Sequence, residues 1–146
     1  MKVRDAMTPN VQLCAPQDST RDAAEAMTAL NVGLLPVADN DRLVGMISDR
    51  DITTRGVAMG RGPDTLVRDI MTIDVKYCFE DQDIAEVTRN MADIQVRRLP
   101  VINRDKRLVG IIALSDIALS APDDCAAIAL NGISQPGGQH AGAVTG

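Results

Sequence analysis

The chain contains one hexapeptide twice, with a single change: Val3-Arg4-Asp5-Ala6-Met7-Thr8 returns as Val67-Arg68-Asp69-Ile70-Met71-Thr72. Leu35-Pro36-Val37 returns at the same spacing as Leu99-Pro100-Val101. Further matches follow in the same order, one residue later: Arg42-Leu43-Val44-Gly45 with Arg107-Leu108-Val109-Gly110, and Asp51-Ile52 with Asp116-Ile117. An ordered series of matches with one single-residue slip indicates a tandem duplication.

Each copy predicts the same order of elements: strand, helix, strand, strand and helix. The first helix of copy one follows Ser19, which forms a capping-box pattern with Asp22, and the first helix of copy two follows Asp83. Polar turn residues separate the two later strands of each copy. The predicted strands are residues 11–15, 34–38 and 43–48 in copy one and 75–79, 98–103 and 108–114 in copy two, and the second helices are 49–59 and 115–121.

The duplication divides the chain into a first repeat over residues 1–62, a second over 63–121 and a C-terminal segment over 122–146. Residues 60–65 form a Gly/Pro linker between the copies. In the last segment we expect a short helix over 123–131 and a flexible Gly-rich tail from residue 136, which carries the only histidine, His140. One repeat is too small to close a core. We therefore expect an α/β fold in which two copies pack with pseudo-twofold symmetry and helices cover small sheets.

The composition argues against several classes of protein. A chain of 146 residues buries enough surface to fold without disulfides or a metal. Its formal charge of −5 argues against a nucleic-acid partner, because nucleic-acid binders carry a basic footprint. The start lacks the apolar stretch of a signal peptide and no run approaches membrane-spanning length, so we expect a cytoplasmic protein with no membrane partner. With one Tyr, one Phe and no Trp, a planar ligand would have to lie between aliphatic side chains.

The end of the hairpin in copy one is the strongest candidate for chemistry. A strand ends at Ser48 and a helix begins, so unpaired backbone N–H groups and the serine hydroxyl are available to a ligand. Asp51 in the first turn can accept hydrogen bonds from a vicinal diol, and the helix N-terminus can bind a phosphate. A site that binds a diol and a phosphate beside an apolar slot suits a nucleoside or nucleotide. Ser-x-x-Asp is also a plain capping box. In copy two Ala113 replaces the serine while Asp116 stays, which favours a ligand role for the aspartate.

Both copies resemble CBS (cystathionine-β-synthase) domains, and the chain resembles the small stand-alone proteins that contain a pair of them. The resemblance rests on Met-Thr at residues 7–8 and 71–72, on the Leu-Pro-Val strands, and on Gly-h-h-(Ser/Thr)-x-x-Asp at 45–51, where h is apolar. It implies the α/β pair described above, assembled into a homodimer. It also implies a regulatory module that needs no cofactor and binds AMP, ADP, ATP, S-adenosylmethionine or relatives in clefts between the copies.

The resemblance implies a role for each matching residue. Asp51 and Asp116 would bind ribose hydroxyls, and Ser48 would contact ribose or phosphate. Base slots would be lined on one side by Thr8, Pro9, Val11, Thr72 and Val75 and on the strand side by Leu35, Pro36, Arg98, Leu99 and Pro100. The candidate phosphate partners are Arg50, Arg97 and Arg98, of which Arg98 is preferred because it adjoins the Leu-Pro-Val motif. Since copy one has the Ser-and-Asp helix start and copy two the arginines, we expect two unequal sites.

In ligand sensing, an output protein would read the arrangement that the ligand stabilises. Three other functions are alternatives to it. Catalysis is disfavoured, because the sequence has no Ser/His/Asp or Cys/His set and no metal-ligand cluster. A dimeric interaction scaffold with degenerate sites is the main alternative, supported by Ala113 and by the few basic residues of copy one. Redox sensing through Cys14 or Cys78 with Cys125 is a third alternative, although no C-x-x-C spacing supports it.

Overall fold

The structure, a computed structural model, describes residues 1–120 and 124–136. The chain forms two compact units whose boundaries differ from those of the repeats. Unit 1 comprises residues 1–11, 76–105 and the described residues from 109 onward, and unit 2 comprises residues 12–75 and 106–108. The leading segment of copy one (residues 1–11) therefore belongs with the body of copy two. The leading segment of copy two (residues 67–75) belongs with the body of copy one.

Unit 1 is built on a four-stranded sheet. The strands lie side by side in the order β1 (Thr8–Pro9), β6 (Leu108–Ala113, whose first residue is assigned to unit 2), β5 (Arg98–Ile102) and β4 (Cys78–Phe79). β1 runs antiparallel to β6, and β4 runs parallel to β5. The helices are α1 (Val3–Ala6), α5 (Ile84–Ile94), α6 (Leu114–Ser120) and α7 (Cys125–Ile133). Their aliphatic side chains form one core with those of the sheet, in which Val3, Ile112 and Ile117 are fully buried.

Unit 2 repeats this arrangement with less regular strands. β2 (Leu34–Asp39) and β3 (Arg42–Ser48) form an antiparallel hairpin in which Leu34 lies opposite Ser48. Single bridges extend it on both sides, because Thr72 pairs with Met46 and Cys14 pairs with Val37. The helices are α2 (Thr20–Leu30), α3 (Asp49–Asp51) and α4 (Val67–Ile70). The order Thr72, β3, β2, Cys14 thus corresponds to the order β1, β6, β5, β4 of unit 1.

Two short helices, α1 and α4, anchor the leading segments, and neither is predicted from the sequence. The Val3 N–H donates to the carbonyl of Gln82 at 3.0 Å, and the Val67 N–H donates to the carbonyl of Asp18 at 2.8 Å. Both valines are 0% exposed. Equivalent backbone bonds and equivalent buried valines therefore fix each leading segment to the body of the other copy.

The predicted hairpins and first helices are confirmed, with differences elsewhere. Ser19 caps α2 through a capping box with Asp22, and the Asp83 side chain caps α5. The predicted strands over 11–15 and 75–79 are wrong in length, because only Cys14 and β4 pair with a neighbour. The predicted helix over 49–59 is irregular: α3 ends at Asp51 and continues as a π-helix (Ile52–Gly56) and a 3₁₀ turn (Val57–Met59). Thr53 and Thr54 in this segment donate their hydroxyls to the carbonyls of Asp49 and Arg50.

The C-terminal helix is present slightly later than predicted. It runs over Cys125–Ile133, where the sequence predicts residues 123–131, and residue 123 lies outside the described residues. The predicted flexible tail is described only at Pro136, and His140 falls outside the described residues. In the part of the chain that the structure describes, no helix combines the length and apolar character needed to cross a bilayer.

Candidate functional site

A backbone crossing in unit 2 positions Thr72. Met46 on β3 and Thr72 exchange two hydrogen bonds, with N···O distances of 2.9 and 2.8 Å. The neighbouring Gly45 allows this approach, because a Cβ at that position would lie 2.8 Å from the Thr72 carbonyl oxygen and 2.7 Å from Met71 Sδ. The glycine of the Gly-h-h-Ser-x-x-Asp motif is therefore required by the leading segment that passes against it.

Unit 1 has the same crossing. Thr8 pairs with Ile111 and Pro9 pairs with Gly110 across β1 and β6. A Cβ at Gly110 would lie 2.6 Å from the Thr8 carbonyl oxygen. Each motif glycine thus brings the threonine of the other copy to the start of the helix that carries the motif aspartate.

The first Thr–Asp pair lies in unit 2. Asp51 Oδ2 accepts the Ser48 N–H at 3.0 Å, and the Ser48 hydroxyl accepts the Asp51 N–H at 3.0 Å, so the capping box is complete. The Thr72 hydroxyl lies 3.4 Å from Asp51 Oδ1 and 3.5 Å from Oδ2. Arg55 Nε lies 3.9 Å from Oδ1, and its Nη1 donates to the Met71 carbonyl at 3.0 Å. Asp51 is 9% exposed, so this is a largely buried carboxylate with one arginine beside it.

The second Thr–Asp pair lies in unit 1. Asp116 Oδ2 accepts the Ala113 N–H at 2.9 Å, and the Thr8 hydroxyl lies 3.4 Å from Asp116 Oδ1. Asp116 therefore caps its helix although Ala113 replaces the serine. Its carboxylate still satisfies the backbone N–H of residue 113, whatever side chain stands there. Retention of Asp116 has a structural cause and does not by itself indicate a ligand.

The two units divide the predicted site residues between them. Unit 1 holds Thr8, Pro9, Val11, Arg98, Leu99, Pro100 and Asp116, and unit 2 holds Leu35, Pro36, Ser48, Arg50, Asp51, Thr72 and Val75. Leu35 and Leu99 are each 2% exposed and belong to the cores of their units. Pro36 and Pro100 are also buried, Val11 and Val75 are half-buried, and Arg50 and Arg98 are exposed. Leu35, Pro36, Leu99 and Pro100 therefore belong to the cores, while the other predicted residues except Asp51 are at least partly accessible.

A cavity of about 310 Å³ in unit 1 lies beside Arg97 and Arg98. It is lined by Arg97, Arg98, Ala113, Leu114, Ser115 and Ala118. Ala113 also donates its N–H to Asp116, so the cavity adjoins the Thr8–Asp116 pair. Another cavity, of about 430 Å³, lies in unit 2 between the start of α2 and the π-helix, and neither Asp51 nor Thr72 lines it. We place the candidate sites at the Thr–Asp pairs because the polar geometry repeats there.

Sequence reasoning missed Arg55 and Ser115. Arg55 stands four residues after Asp51, a spacing at which helical side chains meet, so a search for charge pairs would have found it. Ser115 has no such signal, since the serine of the capping box is absent from copy two and Ser115 occupies the position of Arg50.

The cysteines show no features of a redox pair. Cys14, Cys78 and Cys125 are all free and buried. Burial raises the pKa of the Cys14 thiol to about 11, helped by the nearby carboxylates of Asp18 and Asp22, and burial raises the pKa of Cys78 to about 12. Thiols with such pKa values stay protonated at neutral pH and are poor nucleophiles. The described residues also contain no group of three His, Cys, Asp or Glu side chains that could hold a metal ion.

Known proteins share both the sequence pattern and the fold. Residues 3–57 and 67–122 match the family model of the CBS domain. The chain is 38% identical over 122 residues to Hypoxic response protein 1 of Mycobacterium tuberculosis, an alignment that covers 82% of this chain and 85% of that protein. A crystal structure of Hypoxic Response Protein I with two coordinated zinc ions has a TM-score of 0.76 at 36% identity, and covers 84% of this chain and 100% of its own.

Two further structures contain ligands. CBSX2, a CBS-pair protein of Arabidopsis thaliana, has been solved in complex with AMP, with a TM-score of 0.70 at 30% identity over 81% of this chain and 93% of that chain. The CBS domain pair of MJ0100 in complex with 5′-methylthioadenosine and S-adenosyl-L-methionine has a TM-score of 0.71 at 27% identity over 82% and 94%. Two matched domains over most of the chain, in the α/β fold of CBS-pair proteins, show that this chain belongs to the CBS-domain family and carries two CBS domains in tandem.

Proposed function

We propose that this CBS-pair protein is a non-catalytic regulatory module that binds adenosine-containing ligands at its two Thr–Asp pairs. One observation carries the proposal. In both units the aspartate uses Oδ2 for a backbone N–H and presents Oδ1 to a threonine hydroxyl at 3.4 Å. A hydroxyl at 3.4 Å is a weak partner, so Oδ1 retains the capacity to accept a ribose hydroxyl at normal hydrogen-bond length.

The ligand class is supported by the related structures. The CBSX2 complex contains AMP, and the MJ0100 complex contains 5′-methylthioadenosine and S-adenosylmethionine. The adenosine group is common to all three ligands, and its ribose carries the vicinal diol that a carboxylate oxygen recognises. Val11 and Val75, half-buried on the leading segments, are the aliphatic side chains that we propose for contact with the base.

Replacement of each aspartate by asparagine tests this proposal. In Asp51→Asn and Asp116→Asn the amide oxygen can still accept the backbone N–H, while a donor NH₂ replaces the Oδ1 acceptor. The bond from ribose to a charged acceptor contributes about 1.5–3 kcal/mol, so we expect a loss of roughly 10- to 150-fold in affinity at the altered site. The measurement is isothermal titration calorimetry with AMP, 5′-methylthioadenosine and S-adenosylmethionine.

Asp22→Asn is the matched control. Asp22 forms the same capping box with Ser19 at the start of α2, and it lies outside both Thr–Asp pairs. We expect this variant to bind every ligand as the unaltered protein does. Unchanged affinity in both Asp51→Asn and Asp116→Asn would show that these aspartates are caps only and would contradict the proposal.

A ligand-free interaction scaffold is the second candidate. Exposed apolar side chains near the second helix of each copy favour it: Val57 and Met59 are 71% and 68% exposed in unit 2, and Leu119 is 87% exposed in unit 1. We propose that these side chains contribute to a homodimer. Light scattering on the purified chain tests this, and a monomer at tens of micromolar would exclude it. A dimer that binds none of the three adenosine compounds would favour the scaffold over the sensor.

The remaining parts of the assignment stay predictions. These are a cytoplasmic location, an output protein that reads the ligand-bound arrangement, the absence of a required cofactor, and the division into repeats over residues 1–62 and 63–121. The unequal strength of the two sites also stays a prediction.

A further inference from the structure

The two sites differ in charge at positions that the backbone makes equivalent. In unit 1 the Leu114 N–H donates to the carbonyl of Arg97 at 2.9 Å, and in unit 2 the Asp49 N–H donates to the carbonyl of Gly33 at 2.9 Å. The same bond thus joins the start of the second helix to the start of a hairpin strand in both units. At this junction unit 1 carries Arg97, and Leu114 stands where unit 2 carries Asp49. Arg98 of unit 1 likewise occupies the repeat position that Leu34 occupies in unit 2.

The junction of unit 1 is a cationic cavity. Arg97 and Arg98 line the cavity of about 310 Å³ together with Ser115. Both arginines are exposed, and among residues 1–120 and 124–136 neither guanidinium has a hydrogen bond or an ion pair. Two guanidinium groups with free donors and one hydroxyl form a donor set suited to a phosphate group.

The junction of unit 2 has an acid in the corresponding place. Asp49 is exposed, and its Oδ2 lies only 2.8 Å from where a Cβ on Gly33 would stand. The cations nearby are already engaged. Arg55 donates to the Met71 carbonyl and lies 3.9 Å from Asp51, and Arg50 also has a partner. A negatively charged 5′ group on a ligand would therefore lie near the Asp49 carboxylate. Repulsion between these like charges would oppose binding.

We infer that the two sites select adenosine ligands by the charge of the 5′ group. The unit 1 site, with Arg97 and Arg98, takes a 5′-phosphorylated adenosine such as AMP. The unit 2 site, with Asp49, takes an adenosine whose 5′ group is uncharged or cationic, such as a thioether or a sulfonium. This inference rests on the proposed function, because it assumes that adenosine binds at both Thr–Asp pairs.

Single-site backgrounds make the inference testable. Asp51→Asn leaves the unit 1 site and Asp116→Asn leaves the unit 2 site, and both are titrated with AMP and with 5′-methylthioadenosine. We expect the unit 1 site to bind AMP at least about tenfold more tightly than methylthioadenosine, and the unit 2 site to show the opposite preference. Raising the salt from roughly 50 to 500 mM weakens AMP binding at the unit 1 site and leaves methylthioadenosine binding at the unit 2 site nearly constant.

Charge variants identify the residues responsible. Arg97→Gln/Arg98→Gln in the Asp51→Asn background should remove the preference for AMP and leave methylthioadenosine affinity within about twofold, because only the phosphate loses its partners. Asp49→Leu in the Asp116→Asn background should strengthen AMP binding. Arg68→Gln/Arg89→Gln, with the same change in net charge at two exposed arginines outside both cavities, should leave both affinities unchanged.

The outcomes separate this inference from the function on which it rests. If AMP and methylthioadenosine bind with the same affinity ratio in both backgrounds, or if Arg97→Gln/Arg98→Gln weakens both ligands equally, charge selection is wrong while adenosine binding stands. If neither compound binds the unaltered protein, the proposed function fails and the inference fails with it.

Discussion

Gly45 and Gly110 have no side chain because a leading segment occupies the space that one would fill. The distances from a Cβ to a backbone carbonyl oxygen would be 2.8 Å at Gly45 and 2.6 Å at Gly110. A backbone atom cannot move aside as the end of a flexible side chain can. The glycine of the family motif is thus required by the fold, and it allows the threonine of each candidate site to approach the motif aspartate.

Gly45→Ala should therefore destabilise the protein by about 1–3 kcal/mol, the usual cost of forcing an extra methyl group into a closely packed place. Chemical denaturation measures this change in the free energy of unfolding. Gly62→Ala is the control, since a Cβ there would have nothing within 4 Å. We expect it to be neutral or slightly stabilising, because alanine restricts the unfolded chain. Equal stability of the two variants would contradict the close approach.

Among the elements, the ends of α2 and α5 show how one position serves different purposes in the two copies. Both helices end in a left-handed residue that is not glycine, Asn31 with φ 55° and Gln95 with φ 58°. Asn31 is exposed at the end of α2. Gln95 is buried, and its Nε2 donates to the carbonyls of Gly132 at 2.9 Å and Gln135 at 2.6 Å. The glutamine therefore attaches the C-terminal end of α7 to α5.

Glycine substitution at Asn31 and Gln95 distinguishes the cost of the left-handed backbone conformation from the contribution of the hydrogen bonds between Gln95 and the C-terminal end of α7. Glycine adopts the left-handed conformation without strain, so Asn31→Gly should be neutral or slightly stabilising. Gln95→Gly keeps that advantage and loses two hydrogen bonds from a buried side chain, so we expect a net loss of about 1–3 kcal/mol. Urea denaturation measures the stability, and hydrogen exchange of residues 125–133 should rise only in Gln95→Gly. Similar behaviour of both variants would show that Gln95 does not hold α7.

Elements with a local signal are predictable from this sequence, and those with a distant cause are not. The capping residues Ser19 and Asp83 predict the starts of α2 and α5. The turn residues after each Leu-Pro-Val strand predict the hairpins. The π-helix over Ile52–Gly56 is missed, since the apolar pattern continues through it. Helices α1 and α4 are missed because four residues carry too little periodicity to identify a helix.

The exchange of leading segments is a property of the whole molecule. Thr8, Thr72, Asp51 and Asp116 are all predicted as site residues from the sequence, but which threonine meets which aspartate is not. Residues 3–11 and 67–75 are identical at six of nine positions, so the shared motif does not indicate which body each segment joins. Only the folded chain shows that Thr8 faces Asp116 and Thr72 faces Asp51.

Truncation of the two equivalent valines tests the exchange. Val3 and Val67 are both 0% exposed, and each should lose on the order of 2 kcal/mol when changed to alanine. We expect Val3→Ala to increase hydrogen exchange in α5, in the body of copy two, and Val67→Ala to increase it in α2, in the body of copy one. Mass spectrometry of peptic peptides locates the change. If Val3→Ala instead loosened residues 20–30, the leading segments would not be exchanged.

The exchange also gives the exposed linker over residues 60–64 a thermodynamic role. Each body is completed by a segment of the other copy, so two separate copies would have to meet in solution before either was complete. A short linker holds such partners at an effective concentration of roughly millimolar. Separate copies at micromolar concentration would lack this advantage by about a thousandfold, or about 4 kcal/mol. Tandem fusion thereby makes completion of both bodies independent of protein concentration, so a dilute protein keeps both Thr–Asp pairs.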